Sequence, residues 1–161
     1  MNTFRDASPD DLLVLEALLG RPLAGRCAVV VRRGDGRPVV IENEPHLRDG
    51  TPMPTLYWLV DRDLHDAVSR LESDGGVHRF EDLVEPEQLQ RTHDEYAARR
   101  REATVRTGDV QAQGGVGGTR VGVKCLHAHL ANFLVGAEDP VGALVGDAIG
   151  LPPLSVQHVR D

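Results

Sequence analysis

Apolar residues near the start of the chain recur at the spacing of an amphipathic helix. Ser8 can cap a helix whose first residue is Pro9, and Gly20 is suited to end it. The pattern therefore predicts a helix from Ser8 to Leu19. Its apolar stripe would pack on the protein's own core or, alternatively, on a partner helix. The stripe consists of Leu12, Leu15, Leu18 and Leu19.

Short β-branched runs further along predict three strands. Residues 27–31 and 39–42 flank Asp35-Gly36, a dipeptide that is typical of a hairpin turn. Residues 55–60 form the third run, after a loop over 43–54 that contains three prolines. Because short turns join antiparallel strands, these runs predict a small antiparallel sheet rather than a parallel βαβ array.

Four later segments have helical signals: 61–73, 86–104, 124–135 and 139–150. Together with the strands they predict an α+β fold, in which a small antiparallel three-stranded sheet packs with about four to five helices. Residues 1–150 are predicted to form a single domain. Residues 151–161, with Pro152-Pro153 near their start, are predicted to be a C-terminal tail.

Composition places the chain among ordinary globular proteins. It has 161 residues, of which 40% are hydrophobic and 27% charged. No window approaches the roughly 20 apolar residues that span a bilayer, and no basic segment precedes an apolar run at the N-terminus. The two cysteines, Cys27 and Cys125, lie too far apart for a Cys-x-x-Cys pair. We therefore expect a cytoplasmic protein with reduced thiols.

The acidic charge balance argues against general nucleic-acid binding. The formal net charge is −7, whereas binding to phosphate backbones depends on clustered Lys and Arg. The strongest basic run, residues 99–101 with Arg106, is interrupted by acidic neighbours, so we interpret it as a solvated helix face.

A glycine-rich segment, residues 114–124, precedes the helix predicted from residue 124. Glycines let backbone N–H groups approach a ligand, and a helix start attracts anions. The spacing does not match a phosphate-binding Gly-x-x-x-x-Gly-Lys-Ser/Thr loop, so a hinge or tight turn is the alternative. The predicted ligand-binding residues are Thr51, Thr55, Gly117, Gly118, Arg120 and Lys124.

Three candidates for chemistry follow at alternate positions: Cys125, His127 and His129. Helical residues two apart point about 200° away from each other, so all three converge only if the segment is extended or the helix begins later. Cys125 and His129 share a helical face and suit a metal or a thiolate–imidazole pair. Carboxylates such as Asp35 or Asp61 would have to complete a metal site. The alternative is that the cysteine is core and the histidines cap or pack.

Three motifs in combination resemble a known family. They are GTPMPTLYWL at 50–59, VKCLH at 123–127 and DPVG at 139–142. The chain is similar, over most of residues 21–150, to the bacterial domain-of-unknown-function family 501. Members are typically encoded near a septum-formation-initiator protein and an exopolyphosphatase, which implies a cell-division or phosphate-metabolism context.

The resemblance also implies a zinc site. Relatives carry a Cys-Pro-Cys-Gly turn and a Thr-Cys-Pro after the third strand, beside the Lys-Cys-Leu-His motif. Here the corresponding positions are residues 33–36, Arg-Gly-Asp-Gly, and residues 60–62, Val-Asp-Arg, so three thiolate ligands are missing. Cys125 and His127 are then the positions to test for zinc.

The sequence predicts a small accessory or binding protein that acts through a partner, such as a division-related protein, or through a small anionic ligand. Its pocket is expected to involve residues 50–55, the helix start at Asp61 and residues 114–129.

The alternative is an enzyme, a metal-assisted or Cys/His hydrolase or transferase. In that case Cys125 or a metal-bound water attacks the substrate, and His127 or His129 transfers protons. Arg120 and Lys124 would hold an anionic group. A nucleophilic cysteine must be exposed, with a lowered pKa beside a histidine, whereas a binding module tolerates a buried one.

Overall fold

A four-stranded antiparallel sheet organises the fold. The computed structural model describes residues 4–160. The strands are β1 (Cys27–Arg33), β2 (Pro38–Asn43), β3 (Tyr57–Leu59) and β4 (Leu154–Val156), in the order β3-β2-β1-β4. The predicted number of three strands was wrong, because residues 151–161 contribute β4 to the free edge of β1. Unlike the three predicted strands, this segment lacks a run of β-branched or aromatic residues, and it forms a strand because β1 offers unpaired backbone groups.

Six α-helices accompany the sheet within residues 4–160, so the α+β class is confirmed and the expected four to five helices were too few. The unpredicted helix follows Gly75, whose φ of 82° separates it from the helix before. No helix in this part of the chain is both long and apolar enough to cross a membrane. The helices are α1 (Pro9–Leu19), α2 (Arg62–Ser73), α3 (Gly76–Asp82), α4 (Pro86–Ala103), α5 (Leu126–Leu134) and α6 (Pro140–Ile149).

Side-chain caps explain where three helices begin. Ser8, Asp61 and Asp139 each accept a hydrogen bond from the backbone N–H three residues later, at 2.9 to 3.1 Å. The start of α5 has no cap of this kind. That helix begins at Leu126 instead of the predicted residue 124, which leaves Cys125 outside it.

The sheet separates two apolar clusters. Ala28 and Val30 belong to the larger cluster, with α2 to α6, whereas Cys27 and Val29 belong to the smaller one beneath α1. Leu15 of α1 is fully buried in the smaller cluster. The apolar stripe of α1 therefore packs on the protein's own sheet and is not free to bind a partner helix. The other residues of the stripe in this contact are Leu12, Leu18 and Leu19.

The start of β3 contacts two helices. The Tyr96 hydroxyl of α4 accepts hydrogen bonds from the backbone N–H groups of Leu56 at 2.6 Å and Tyr57 at 3.3 Å. Tyr96 is fully buried, and burial raises its pKa to about 12, so the phenol stays neutral. Strand β3 also packs against α5. This arrangement brings residues 55–59 beside the start of α5.

Candidate metal site

A cysteine, a histidine and a glutamate converge where the end of α2 meets the start of α5. Cys125 precedes α5 with extended backbone angles, φ −144° and ψ 116°, whereas His127 lies in the first turn of the helix. Because one of the two residues is outside the helix, their side chains are not forced to opposite sides. The carboxylate of Glu72, near the end of α2, contacts the His127 ring and the backbone N–H of Leu126. We call Glu72, Cys125 and His127 the cysteine cluster.

The donor atoms of the cysteine cluster are spaced like the ligands of one metal ion. All three lie within 4.8 Å of one another. Cys125 Sγ is 3.9 Å from His127 Nδ1, and the same nitrogen is 3.2 Å from Glu72 Oε1. Donors at about 2.0 to 2.3 Å from a tetrahedral metal are separated by roughly 3.3 to 3.8 Å. The observed spacing therefore needs only small side-chain adjustments to accept an ion.

The second ring nitrogen of His127 has partners of its own. Nε2 lies 3.1 Å from the backbone oxygen of His65 and 3.1 Å from Ser69 Oγ. A carbonyl oxygen only accepts hydrogen bonds, so Nε2 carries the proton that it donates. In the neutral ring the lone pair is then on Nδ1, which faces the cysteine cluster. Metal-ligating histidines commonly donate their other N–H to a carbonyl in this way.

Glu72 is also fixed by the backbone of α5. Its second carboxylate oxygen accepts a hydrogen bond from the N–H of Leu126 at 2.9 Å. That N–H belongs to the first turn of α5 and has no partner within its own helix. Glu72, a residue of α2, thus supplies the cap that the residue before α5 does not provide. Sequence reasoning missed Glu72 because it lies 53 positions before Cys125, among the polar residues of an amphipathic helix.

Burial favours uncharged forms of the cysteine and the histidine. It raises the pKa of the Cys125 thiol, and the negative charge of Glu72 raises that pKa further. It lowers the pKa of His127, against the opposing effects of the Glu72 charge and the His65 carbonyl. A metal ion bound here would have to displace the thiol proton.

A cavity of about 380 Å³ adjoins the cysteine cluster. We call it the cluster cavity. Cys125 and His127 form part of its wall, and Arg21 and His65 add polar groups. The ring of His65 lies 4.3 Å from that of His127, centroid to centroid. A small molecule in this cavity would therefore contact the cysteine cluster directly. The rest of the wall is Leu19, Thr55, Tyr57, Trp58, Leu59, Gly117 and Ala128.

The predicted ligand-binding residues do not gather at one site. Thr55 and Gly117 line the cluster cavity, which therefore includes parts of two predicted pocket segments, residues 50–55 and 114–129, whereas Asp61 of the third does not line it. Arg120 lines a different cavity, beside α4. The remaining three residues line neither of these cavities: Thr51, Gly118 and Lys124.

The candidate carboxylates Asp35 and Asp61 are engaged elsewhere. Asp35 pairs with Arg37 across the hairpin turn at 2.8 Å. Asp61 binds Arg33 through two hydrogen bonds, of 2.5 and 2.9 Å, and caps α2. Glu72 lies eleven residues further along, about 16 Å at 1.5 Å per helical residue. The carboxylate at the cysteine cluster is therefore supplied by the end of α2 and not by its start.

His129 is not part of the cysteine cluster either. It is fully buried, and its Nδ1 lies 2.8 Å from the carboxylate of Asp139. Asn132 donates a further hydrogen bond to that carboxylate at 3.0 Å. We call His129, Asn132 and Asp139 the buried histidine network. The predicted pairing of Cys125 with His129 does not form, because Cys125 lies outside the helix.

A protein-family model matches the part of the chain that contains these residues. The model described as "Protein of unknown function (DUF501)" matches residues 29–147, most of the chain. The chain belongs to the DUF501 family. The resemblance read from the three motifs is thereby confirmed. The DUF501 match includes the cysteine cluster and the buried histidine network, and it leaves out α1 and β4. No curated protein and no solved structure matches the chain.

Proposed function

We propose that the protein binds a divalent transition-metal ion at the cysteine cluster and that a small ligand reaches this ion from the cluster cavity. The observation that carries the proposal is the convergence of three donor atoms on one point. His127 Nδ1 lies 3.2 Å from Glu72 Oε1 and 3.9 Å from Cys125 Sγ.

A cation between His127 and Glu72 would satisfy both groups. With Nε2 donating to the His65 carbonyl, the neutral ring presents a lone pair to a carboxylate oxygen. Two acceptors at this distance repel each other unless a proton or a metal ion lies between them. A proton would serve only the imidazole and the carboxylate. A metal ion binds the Cys125 sulfur as well, so it satisfies all three side chains together.

The donor set fits Zn²⁺ best. One thiolate, one imidazole and one carboxylate combine the ligand types that zinc accepts, whereas Mg²⁺ and Ca²⁺ prefer oxygen alone. Three protein ligands leave a fourth position open, as in catalytic zinc sites, where the pKa of a bound water is about 7. The position of the cluster cavity supports a metal-assisted hydrolase or transferase, the enzyme class predicted from the sequence.

The geometry supports a metal site more than a cysteine nucleophile. In a thiolate–histidine–carboxylate relay, the cysteine and the carboxylate contact different ring nitrogens. Here Cys125 and Glu72 face the same nitrogen of His127, and the other nitrogen is held by a carbonyl. Burial also raises the pKa of Cys125, opposite to what a nucleophilic thiolate needs. A division-related partner stays a prediction of the resemblance.

Metal titration tests the proposal. Metal-free protein is titrated with Zn²⁺ against a competing chelator, and with Co²⁺ to record thiolate-to-metal charge-transfer absorption. We expect one ion per chain. Cys125→Ser and Glu72→Gln should each weaken Zn²⁺ binding at least tenfold, and Cys125→Ser should also abolish the charge-transfer band.

Cys27→Ala is the matched control, because Cys27 lies in the smaller apolar cluster beneath α1. It removes a thiol without touching the cysteine cluster, and its Zn²⁺ affinity should equal that of the wild type. The proposal fails if wild-type protein takes up no stoichiometric Zn²⁺, or if the Cys125→Ser/Glu72→Gln double variant binds it equally tightly.

A further inference from the structure

A second cavity, of about 440 Å³, lies between α4 and the glycine-rich segment. Its wall includes three arginines, two of them consecutive in α4 and one following the glycines. We call it the arginine cavity. It shares no lining residue with the cluster cavity. The arginines are Arg100, Arg101 and Arg120.

Arg100 is a buried cation without a carboxylate partner. Its side chain is 4% exposed. Its guanidinium donates hydrogen bonds to three backbone oxygens, those of Pro54 at 2.9 Å, Gly114 at 2.6 Å and Ala112 at 3.4 Å. Within residues 4–160, no Asp or Glu forms an ion pair with it. Carbonyl dipoles orient the charge, but they do not neutralise it.

Leaving this charge uncompensated is unfavourable. Burial lowers the pKa of Arg100, and the positive charge of Arg101 lowers it further. Buried charges in proteins are usually paired with an opposite charge, because removing an ion from water is unfavourable. A negatively charged group in the arginine cavity would supply the missing pairing.

The two outer arginines are available to such a group. Arg101 and Arg120 are exposed, and in the described part of the chain neither forms an ion pair. Asp94 is the one acidic residue of the wall, and its carboxylate already accepts a hydrogen bond from Gln90 at 3.1 Å. Three cations therefore face one anion here, in a chain whose net charge is −7.

His93, which also lines the cavity, adds no charge. Its Nε2 donates to the carbonyl oxygen of Gly122 at 2.8 Å, and its Nδ1 accepts from the N–H of Val116 at 3.1 Å. Both nitrogens are occupied in the neutral form, so protonation would break the second bond. The cationic character of the cavity therefore comes from the arginines alone.

We propose that the arginine cavity binds a small polyvalent anion, a metabolite bearing clustered phosphate or carboxylate groups. Guanidinium groups bind such anions through paired, charge-assisted hydrogen bonds. Three guanidinium groups favour several negative charges over one. The anionic ligand expected from the sequence would then bind here, through Arg120 without Lys124, and apart from the metal.

Binding of two defined anions tests this proposal. Pyrophosphate and citrate are each titrated calorimetrically into metal-free protein at constant ionic strength. We expect saturable binding at one site per chain. The double variant Arg101→Gln/Arg120→Gln, which changes only exposed side chains, should weaken binding at least tenfold and leave the Zn²⁺ affinity unchanged. Stronger binding of pyrophosphate would identify a phosphorylated ligand, and stronger binding of citrate a polycarboxylate.

The matched control is the double variant Arg62→Gln/Arg91→Gln. Both residues are exposed, neither lines the arginine cavity, and the change in net charge is the same. Its anion affinity should stay within twofold of the wild type. Absence of saturable binding by wild-type protein, or equal losses in the two double variants, would overturn the proposal. Thermal melting of each variant checks that it is folded.

Discussion

His127 and His129 lie two residues apart in α5, and each has a carboxylate about 3 Å from its Nδ1, yet their surroundings differ. His129 and Asp139 are fully buried. All contacts of the Asp139 carboxylate come from inside the chain: His129, Asn132 and the N–H of Gly142. His127 is partly exposed beside the cluster cavity, and its Nδ1 faces a second potential ligand, Cys125.

The two histidines also carry their protons on opposite nitrogens. His129 donates from Nδ1 to Asp139, whereas His127 donates from Nε2 to the His65 carbonyl and leaves Nδ1 as an acceptor. A histidine–carboxylate pair is therefore not by itself evidence of a catalytic or metal-binding site. The pair that is enclosed within the chain stabilises the fold, whereas the pair whose histidine lines a cavity can bind a ligand.

The largest effect is expected from Asp139→Ala. It removes three hydrogen bonds and leaves His129 buried without a partner, so the free energy of unfolding should fall by about 3 to 5 kcal/mol. Urea denaturation of metal-free protein measures it. Glu72→Gln should cost less than about 1 kcal/mol, because its surroundings are partly solvated. Equal losses in both variants would contradict the distinction between the two pairs.

Asp147→Asn serves as the control for the buried network. Asp147 lies in α6, the helix that Asp139 caps, but its side chain is exposed. Its substitution should change the free energy of unfolding by less than about 0.5 kcal/mol.

A smaller loss is expected from Gly142→Ala, which tests how closely α6 approaches the buried network. A Cβ at this position would lie 2.3 Å from the backbone oxygen of His129 and 2.5 Å from Cβ of Phe133. The clash would push α5 and α6 apart. The free energy of unfolding, measured in urea, should therefore fall by about 2 to 3 kcal/mol. Gly34→Ala, where a Cβ meets nothing within 4 Å, should be nearly neutral. A stable Gly142→Ala variant would show that the helices can separate freely.

Acidification should lower the free energy of unfolding, because the folded chain keeps His93 neutral beside the buried histidine network. Burial lowers the pKa of His93 in the folded chain, with His129 adding to the effect and Asp139 and Asp94 opposing it. As the pH falls below about 6.5, the unfolded chain takes up a proton that the folded chain resists. Stability from this group is therefore present above that pH and is lost as the pH falls toward the lowered pKa.

Urea midpoints measured from pH 7.5 to pH 5 check this sign. The midpoint of the wild type should fall over this range more steeply than that of His93→Gln, which has no titrating group at this position. Parallel pH profiles for the two proteins would show that His93 is not responsible.

The smallest effect is expected from Ser69→Ala at the cysteine cluster. Ser69 Oγ contacts His127 Nε2 at 3.1 Å, but the His65 carbonyl already accepts the proton of that nitrogen. Zn²⁺ affinity should therefore change less than about threefold, below the roughly 10- to 100-fold losses typical of groups that orient a metal ligand. A loss above tenfold in chelator competition would show that the serine, and not the carbonyl, orients the ring.

Two of the three residues in the cysteine cluster could be chosen from the sequence, and the third could not. Cys125 and His127 stand out as rare residue types after a glycine-rich segment. Glu72 is one of three acidic residues in α2, and nothing local distinguishes it. The exclusion of His129 also needed the structure, because it depends on a contact with Asp139 from the next helix.

The sequence by itself determined the class of fold and most element positions. Caps, glycine stops and apolar periodicity act within a few residues, so Ser8, Asp61 and Asp139 begin their helices where the pattern predicts. Tertiary structure decided the pairing of β4 with β1, the late start of α5 and the gathering of three arginines around one cavity. Each of these depends on contacts between distant segments, whose geometry is set by packing and has no local pattern.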